Sequence, residues 1–512
     1  MEATCTMKKI AIVLAAGKNT RIKNICYDRP KCLLSVCGQT LITRLISQFW
    51  DYVDEFYIAA GCNAPKIASV LPNLNNIHIL DFNGEDFAGN GVTLKHALQE
   101  VNTKSSSIVI LESDIVISDK VVNAFVTDTH PLKFIGVDKE INDHDDAIVK
   151  TEIGYRFTKE RKEGWKILGK FIGVTELTPD ISFKIIDDLD VPEHYAEFIA
   201  RYSTLDFHTI EVSIKDAMEI DTSADYSFVL NNYNIHPVTE KFNPYQVHIN
   251  QGLQTYVGVY DVIGAKIARQ YGIDGLYLGS YQISAAIGKK DTQEFSLEDA
   301  LDIAQKIRYA NIDMPIILDA MSGFQNIQDM DAVRQKIIEC KIGAVCIDDL
   351  ESSHECSLNT DFKPRILSVE SFEERIAFAK RHMPKECKII ARTEIMNISS
   401  DPILIKRRIE CLKNVCSDIV LPHYVGDDFS LLQKVIQSVS IDCPMMIIPS
   451  RLLHIPKIEW SNLGYQFVIY ANADMRLRSH ELEDLYEKIT IMGNIEKDIS
   501  DVKKLKNVYN IG

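Results

Sequence analysis

Between Thr255 and Tyr470 eight short apolar runs recur, and each leads into a helical or loop segment. The runs are Thr255–Tyr260, Gly275–Gly279, Pro315–Asp319, Gly343–Ile347, Lys388–Arg392, Asp418–Leu421, Pro444–Ile448 and Gln466–Tyr470. Strands this apolar are buried on both faces, and eight strand-then-helix units close into a (β/α)8 barrel. Residues just after each strand then gather at one face, which is where chemistry is sought.

The first half has a different α/β pattern. Apolar runs at Lys9–Leu14, Glu55–Ala60, Ile77–Phe82, Ser107–Leu111 and Phe134–Val137 alternate with helical stretches at Leu41–Trp50, Pro65–Leu71 and Val92–Val101. This predicts a mainly parallel, Rossmann-like sheet with helices on both faces. From Asp146 to Thr175 shorter, polar-interrupted strands predict an antiparallel insertion. Residues Asn231–Gln251 hold two prolines and no helical period. The expected organisation is a domain over residues 1–232, a linker over 233–252 and the barrel over 253–512.

Lys plus Arg number 56 against 72 Asp plus Glu, a net charge of −16. Such a chain repels nucleic acid and anionic membrane at long range, while a small anionic substrate can still be held by local cations or a metal. No stretch approaches the ~20 apolar residues of a membrane span. The apolar run Ile10–Ala16 leads into a glycine loop without a small-residue cleavage pattern, so it reads as a buried strand and not a signal peptide. Twelve cysteines lie singly, none with C-x-x-C spacing. They read as reduced, buried thiols of a cytoplasmic protein.

The strand IAIVL runs into Ala15-Ala16-Gly17-Lys18-Asn19-Thr20-Arg21, followed by Arg29-Pro30-Lys31. A glycine loop after a buried strand lets backbone N–H groups approach phosphate oxygens, and Arg21 and Lys31 add cationic donors. Downstream, Asp114 follows the strand Ile108–Leu111 in L-E-S-D, and Asp221 stands in E-I-D-T-S-A-D-Y before a helix. Each carboxylate is a metal ligand or, on the alternative reading, a loop residue (Asp114) and a helix cap (Asp221).

The string L-A-A-G-x-x-x-R followed by P-K resembles the nucleotidyltransferase family that activates sugar phosphates, phosphocholine and phosphonates. Asn19 stands where that family usually has a second glycine. The resemblance implies nucleotide binding by Leu14, Ala15, Ala16, Gly17, Asn19, Thr93 and Ser113, and Mg2+ on Asp114 and Asp221. It gives Arg21 and Lys31 the charge on the leaving pyrophosphate. The segments Asp145–Lys150 and Gly169–Gly173 resemble the acceptor side of cytidylyltransferases for choline phosphate and phosphonates. That branch uses CTP, and Lys150 and Lys170 would meet the anionic acceptor; a solvated surface lysine is the alternative at Lys150. No β-helix repeat follows, unlike in the acetyltransferase-fused uridylyltransferases.

The second half resembles the isocitrate lyase and phosphoenolpyruvate mutase superfamily. The carrying segments are Val257–Asp261, Leu278–Ser280, Ile283–Asp291, Ile390–Glu394, Tyr470–Arg476 and the tail Asp498–Val508. The resemblance implies phosphoenolpyruvate or phosphonopyruvate as substrate. Arg392 would hold the phosphoryl group, Gly279 and Ser280 the carboxylate, and Asp291 would lie near the transferring group, with Asp319 in the metal loop. Two departures stand out. The family's D-A-D-T-G-Y-G-N is here Asp319-Ala320-Met321-Ser322-Gly323-Phe324-Gln325-Asn326, so a thioether replaces a carboxylate ligand. The lid segment Asp348–Cys356 has no lysine. Asp348, Asp349 and Glu351 are alternative ligands for a displaced metal.

The joint expectation is a phosphonate-pathway fusion: a CTP-dependent cytidylyltransferase acting on a 2-aminoethylphosphonate-like acceptor, joined to an altered mutase-like barrel. The barrel would serve assembly into a homo-oligomer through its last helix, Ser479–Met492, or regulation. The alternatives are a truly bifunctional enzyme and a phosphocholine or sugar-1-phosphate nucleotidyltransferase.

Overall fold

The computed structural model describes residues 8–17, 20–82, 89–101, 106–137, 147–151, 154–158, 162–188, 194–201, 208–213, 215–232, 242–291, 294–324, 327–351, 364–414, 417–438 and 443–492. The chain divides into two compact units, residues 1–242 and 243–512.

The first unit is built on a nine-stranded sheet. Its centre is Lys8–Leu14, parallel to Glu55–Ala59 on one side and to Ser106–Glu112 on the other. Side chains alternate across a strand, and here both faces are apolar. Ala11 and Val13 join the core beneath helix Leu41–Phe49, to which the helix contributes Ile42, Leu45, Ile46 and Phe49. Ile10, Ile12 and Leu14 join the opposite core with Leu94, Ala97 and Leu98 of helix Asn90–Glu100. The Thr40 hydroxyl caps the first helix by accepting from the Thr43 N–H at 3.3 Å.

The antiparallel insertion expected after Asp146 is centred on the long strand Lys166–Leu177. It pairs antiparallel with Ser106–Glu112, Lys133–Val137 and Ala147–Thr151. Lys133–Val137 therefore does not extend the parallel block directly; its parallel partner is His208–Val212. A separate two-stranded pair, Ile115–Ile117 with Ala217–Glu219, joins segments a hundred residues apart.

In the second unit all eight expected strands are present and parallel. They are Gln254–Gly258, Gly275–Leu278, Ile316–Asp319, Ala344–Asp348, Lys388–Thr393, Ile419–Pro422, Met445–Ile447 and Tyr465–Tyr470, closed into a barrel. Tyr256, Tyr277, Ile317, Cys346, Ile390, Leu421, Met446 and Phe467 fill its interior. Part of the expected linker belongs to this unit: Val247 is fully buried in the barrel core. A Cβ on Gly343 would lie 2.3 Å from the Tyr245 carbonyl, so a side chain there would expel this floor. Residues 233–241 lie outside the described residues, as do the lid positions 352–356 and the tail 498–508.

Candidate functional site

In the first unit the short pair Ile115–Ile117/Ala217–Glu219 does the positioning. It sets Ile115 opposite Glu219, and the Ile220 N–H donates to the Asp114 carbonyl at 2.9 Å. Asp114 and Asp221 are thereby brought to one place. Lys31 Nζ lies between them, 2.5 Å from Asp114 Oδ2 and 3.1 Å from Asp221 Oδ1, and Arg21 reaches the other Asp221 oxygen at 2.9 Å. Burial alone would lower the Lys31 pKa, but the two aspartates outweigh it and hold the ammonium charged.

The helix-cap alternative for Asp221 is answered by its neighbour. The Asp225 carboxylate accepts from the Asp221 and Thr222 N–H groups at 3.0 and 2.7 Å and from the Thr222 hydroxyl. The Thr222 hydroxyl accepts in turn from the Asp225 N–H at 3.2 Å, so Thr222 and Asp225 cap the helix between them and the Asp221 carboxylate is turned to the two cations.

Two carboxylates the sequence reading passed over join this centre. Glu112, Asp114 and Glu219 offer oxygen atoms within 4.8 Å of one another. Burial, Asp114 and Glu219 together raise the Glu112 pKa far above the carboxylate range. Burial, Asp114 and Asp221 push Glu219 up to about 8, against the opposing pull of Lys170 and Lys31. A Cβ on Gly173 would sit 2.4 Å from the Glu112 side chain, so the glycine leaves the room that Glu112 occupies. Both glutamates adjoin the aspartates in sequence, in L-E-S-D and E-I-D, which was the available signal.

The glycine loop leaves the sheet just beside this cluster. Leu14, Ala15 and Ala16 are buried. The Ala15 N–H donates to the Ala59 carbonyl, and the Asn63 amide donates to the Ala15 and Gly17 carbonyls. A Cβ on Gly17 would meet nothing within 4 Å among the described residues, so the loop is open at Gly17. Ser113 is buried and its N–H donates to the Leu14 carbonyl at 3.2 Å. Thr93 is buried, with its hydroxyl donating to the Gly89 carbonyl at 3.0 Å. Asn19 lies outside the described residues. Lys170 Nζ lies 3.7 Å from Glu219 Oε2. Lys150 pairs across the ladder with Lys166, not Lys170.

In the barrel, Asp319, Asp348 and Arg392 lie at the carboxyl ends of adjacent strands, with Asp348 directly across the ladder from Arg392. Asp319 is already engaged: the Tyr277 hydroxyl donates to Oδ2 at 3.0 Å and the Met321 N–H to Oδ1 at 3.1 Å. Arg392 is held by Glu394 through Nε at 2.7 Å and Nη2 at 2.6 Å. His423 Nδ1 sits 3.0 Å from Arg392 Nη2 and 2.9 Å from Glu394 Oε1. Burial raises the Glu394 pKa, but Arg392 and His423 win and bring it down to about 2. Burial and Arg392 together lower that of His423, favouring the neutral ring. Burial pushes Asp348 up to about 7, with Asp319 and Glu394 adding to the rise against Arg392. His423 follows a barrel strand, where the sequence rule said to look, but it was not singled out.

Asp349 is fully buried and used twice over, by the Thr393 hydroxyl at 2.6 Å and Arg408 at 2.8 Å on Oδ2 and by the Glu394 N–H at 3.0 Å on Oδ1. It is therefore unavailable to a displaced metal. Gly279 caps the short helix Ser280–Ala286, which opens on Ser280, and Asp291 follows that helix half-buried. Met321 holds a left-handed backbone at φ 47°, which an unbranched hydrophobic side chain seldom adopts.

Residues 11–139 match the MobA-like NTP transferase domain family, and residues 246–490 match the phosphoenolpyruvate phosphomutase family. The phosphoenolpyruvate phosphomutase of Tetrahymena pyriformis is 22% identical over 261 residues, 50% of this chain and 86% of that protein. The bifunctional protein GlmU of Methanococcus maripaludis is 26% identical over 111 residues, 22% of this chain but only 26% of that protein. Among solved structures, the phosphoenolpyruvate phosphomutase of Streptomyces platensis subsp. rosaceus is 23% identical, covers 51% of this chain and 90% of its own, and has a TM-score of 0.47. With the glycine loop and its acidic centre in one unit and the closed eight-stranded barrel in the other, the chain joins an N-terminal MobA-like NTP transferase domain to a C-terminal phosphoenolpyruvate phosphomutase-family domain.

Proposed function

We propose that the first unit is a cytidylyltransferase that activates a small phosphonate resembling 2-aminoethylphosphonate. The observation that carries this reading is the convergence of Asp114, Asp221, Glu112 and Glu219 on Lys31 beside an open glycine loop. The donor set fits Mg2+: hard carboxylate oxygens crowd together at an electrostatic cost that a divalent cation removes. Asp114 and Asp221 would hold it, and when bound there it neutralises charge on the triphosphate. A phosphonate oxygen forms a bond to the α-phosphorus of CTP, the α–β bridging bond breaks, and pyrophosphate leaves. Lys31 and Arg21 balance the charge that builds on pyrophosphate. The N–H groups after Ala15 orient the triphosphate, and Lys170 meets the acceptor, with Lys150 further along the same insertion.

For the barrel the same reading is a non-catalytic module for assembly or regulation. The mutase metal position holds Met321, and Asp319 and Asp349 already have protein partners. This donor set does not fit Mg2+, so no step is assigned to it. Helix Ala473–Met492 leaves Leu477, Tyr486 and Ile491 largely exposed, which supports homo-oligomers formed through it. A bifunctional enzyme is the second reading, favoured by Arg392, Asp319 and Asp348 still meeting at the strand ends. No helix among the described residues is long and apolar enough to cross a membrane; cytoplasmic residence is part of the proposal.

Phosphorus NMR tests both halves. CTP, Mg2+ and 2-aminoethylphosphonate should yield a CMP-phosphonate and pyrophosphate. Asp114→Asn and Asp221→Asn should abolish that turnover with the fold intact. Strong preference for UTP or dTTP with a sugar phosphate would replace the acceptor assignment. Phosphonopyruvate with Mg2+ should stay unchanged; phosphoenolpyruvate appearing would make the chain bifunctional, and inorganic phosphate alone would make the barrel a hydrolase.

A further inference from the structure

A second cluster lies at the other end of the first unit's sheet. Lys8–Leu14, Lys133–Val137 and His208–Val212 run in the same direction. The glycine loop and Asp114 follow the ends of central strands, whereas Lys133 and His208 begin theirs. Just before Lys133 the sequence reads Asp128-Thr129-His130-Pro131. Asp128 closes helix Asp119–Thr127, and its Oδ1 accepts from the His130 N–H at 2.9 Å, which fixes the turn. His208 is fixed independently, its N–H donating to the Leu132 carbonyl at 3.1 Å.

These two constraints point both imidazoles at one carboxylate. His130 Nδ1 lies 3.0 Å from Asp128 Oδ1 and His208 Nε2 lies 3.1 Å from Asp128 Oδ2. The rings stack with centroids 4.0 Å apart and planes 6° apart. One ligand atom from each residue falls within 4.8 Å of the others. Adjacent ligands of a tetrahedral ion with bonds of about 2.0–2.1 Å stand about 3.3–3.4 Å apart. The two nitrogens, each on a different Asp128 oxygen, are a few tenths of an ångström short of that spacing, and the half-exposed rings must turn out of their parallel stack to share one ion. Lys133 donates to the Asp128 backbone carbonyl and is balanced by Glu176 at 3.1 Å. Two imidazoles with one carboxylate favour a first-row transition ion over Mg2+ or Ca2+, which prefer oxygen alone.

The geometry points to Asp128, His130 and His208 as a binding site for a divalent transition metal, zinc by ligand type, separate from the nucleotidyl-transfer centre. The ion ties the loop after helix Asp119–Thr127 to the start of strand His208–Val212. With His130 and His208 rings 48% and 38% exposed, its remaining position is open to solvent. Its role is a clip across the edge of the sheet, and a bound ion stabilises the unit by mass action.

The test uses the full chain stripped with a chelator and then titrated with Zn2+ and Co2+, reading stoichiometry by calorimetry, the Co2+ absorption spectrum and the melting temperature. One equivalent beyond any taken up by the Asp114–Asp221 centre should bind, raise the melting temperature and give a nitrogen/oxygen-ligand Co2+ spectrum. His130→Ala and His208→Ala should each remove that equivalent, a loss beyond the roughly 10–100-fold that a missing supporting hydrogen bond costs. Asp114→Asn should keep it, and both histidine variants should retain nucleotidyl transfer. His130 is half exposed, so its variant decides the matter should His208→Ala fail to fold. No bound equivalent, or one that persists in the His130 variant or shows a thiolate spectrum, overturns the site.

Discussion

Replacing Lys31 by Met keeps the aliphatic stem and removes only the ammonium, so it isolates the charge between Asp114 and Asp221. At the observed 2.5 and 3.1 Å, with an effective dielectric of ~20, each pair is worth about 5–7 kcal/mol of bare attraction. Most of that is offset by taking the three groups out of water. Breaking a buried pair from one side costs ~3–5 kcal/mol. Each aspartate side chain keeps 21% of its surface exposed, which brings the expected loss to about 2–4 kcal/mol. For a unit of this size that lowers the melting temperature by about 4–16 °C without metal. The same change leaves the two carboxylates with only each other and Arg21, so Mg2+ should bind more tightly and recover more of the lost stability than it adds to the unaltered chain. Turnover should nonetheless fall by about 10²–10³, the usual cost of losing one preorganised partner for developing charge. Calorimetry with chelator and with Mg2+, beside pyrophosphate release from CTP, reads all three effects. An unchanged metal-free melting temperature would refute the electrostatic account. Near-normal turnover would refute the role given to Lys31, and an unchanged Mg2+ response would refute the aspartates as ligands.

Three further outcomes follow from the same geometry. Glu219 binds its proton more tightly in the folded chain, with its pKa raised to about 8, so its contribution to stability is full below pH ~4.5 and lost as pH rises through ~8. With 23% of the side chain exposed, the swing is about 1–3 kcal/mol, seen as a falling urea midpoint that Glu219→Gln or saturating Mg2+ flattens. Asp225→Ala should cost ~1 kcal/mol of cap stability and keep turnover, whereas Asp221→Asn should abolish turnover; an equal turnover loss in Asp225→Ala would mean that Asp225 acts in the site and not only in the cap. Met321→Asp suits the left-handed backbone better than methionine and restores a hard oxygen beside Asp319. The variant should be less stable without metal, from carboxylate repulsion, and should gain an Mg2+-dependent rise in melting temperature that the unaltered barrel lacks.

Most of the architecture was legible because hydrophobic period reports local burial. The eight barrel strands and the strand, glycine loop and helix of the first unit are continuous apolar runs bounded by turns. Long-range pairing was not legible. Nothing in the period of Ile115–Ile117 or Ala217–Glu219 says that they meet, yet that pair brings Asp114 to Asp221. Glu112 and Glu219 went unread for a related reason. A glutamate next to a candidate aspartate looks like an ordinary surface charge until the fold crowds it against two others. The barrel floor was missed because residues 243–252 lack any period, and their burial comes from the Gly343 gap above them. Asp225 against Asp221 was legible only as an ambiguity, since both stand at a helix start and only the hydrogen bonds separate cap from ligand.

The two centres also differ in how their charges are settled, and that difference bears on what each can still do. In the barrel nearly every charged group already has a protein partner: Arg392 with Glu394, and Asp349 with Arg408 and Thr393. Asp319 is bonded to a tyrosine hydroxyl and a backbone N–H. Asp348 accepts from the Leu350 N–H at 3.2 Å, and burial pushes its carboxyl up to about 7, with Asp319 and Glu394 adding to the rise. A phosphoryl group arriving there would have to pull Arg392 away from a buried glutamate that it meets at 2.6 and 2.7 Å. In the first unit the balance runs the other way. Glu112 and Glu219 are both driven upward even though Lys31, Arg21 and Lys170 stand among the four carboxylates. A site that repels itself gains stability when a cation arrives, and a site whose charges are already matched does not. This is the ground for proposing the first unit as the centre that takes up metal and triphosphate, while the residues at the barrel end chiefly hold each other.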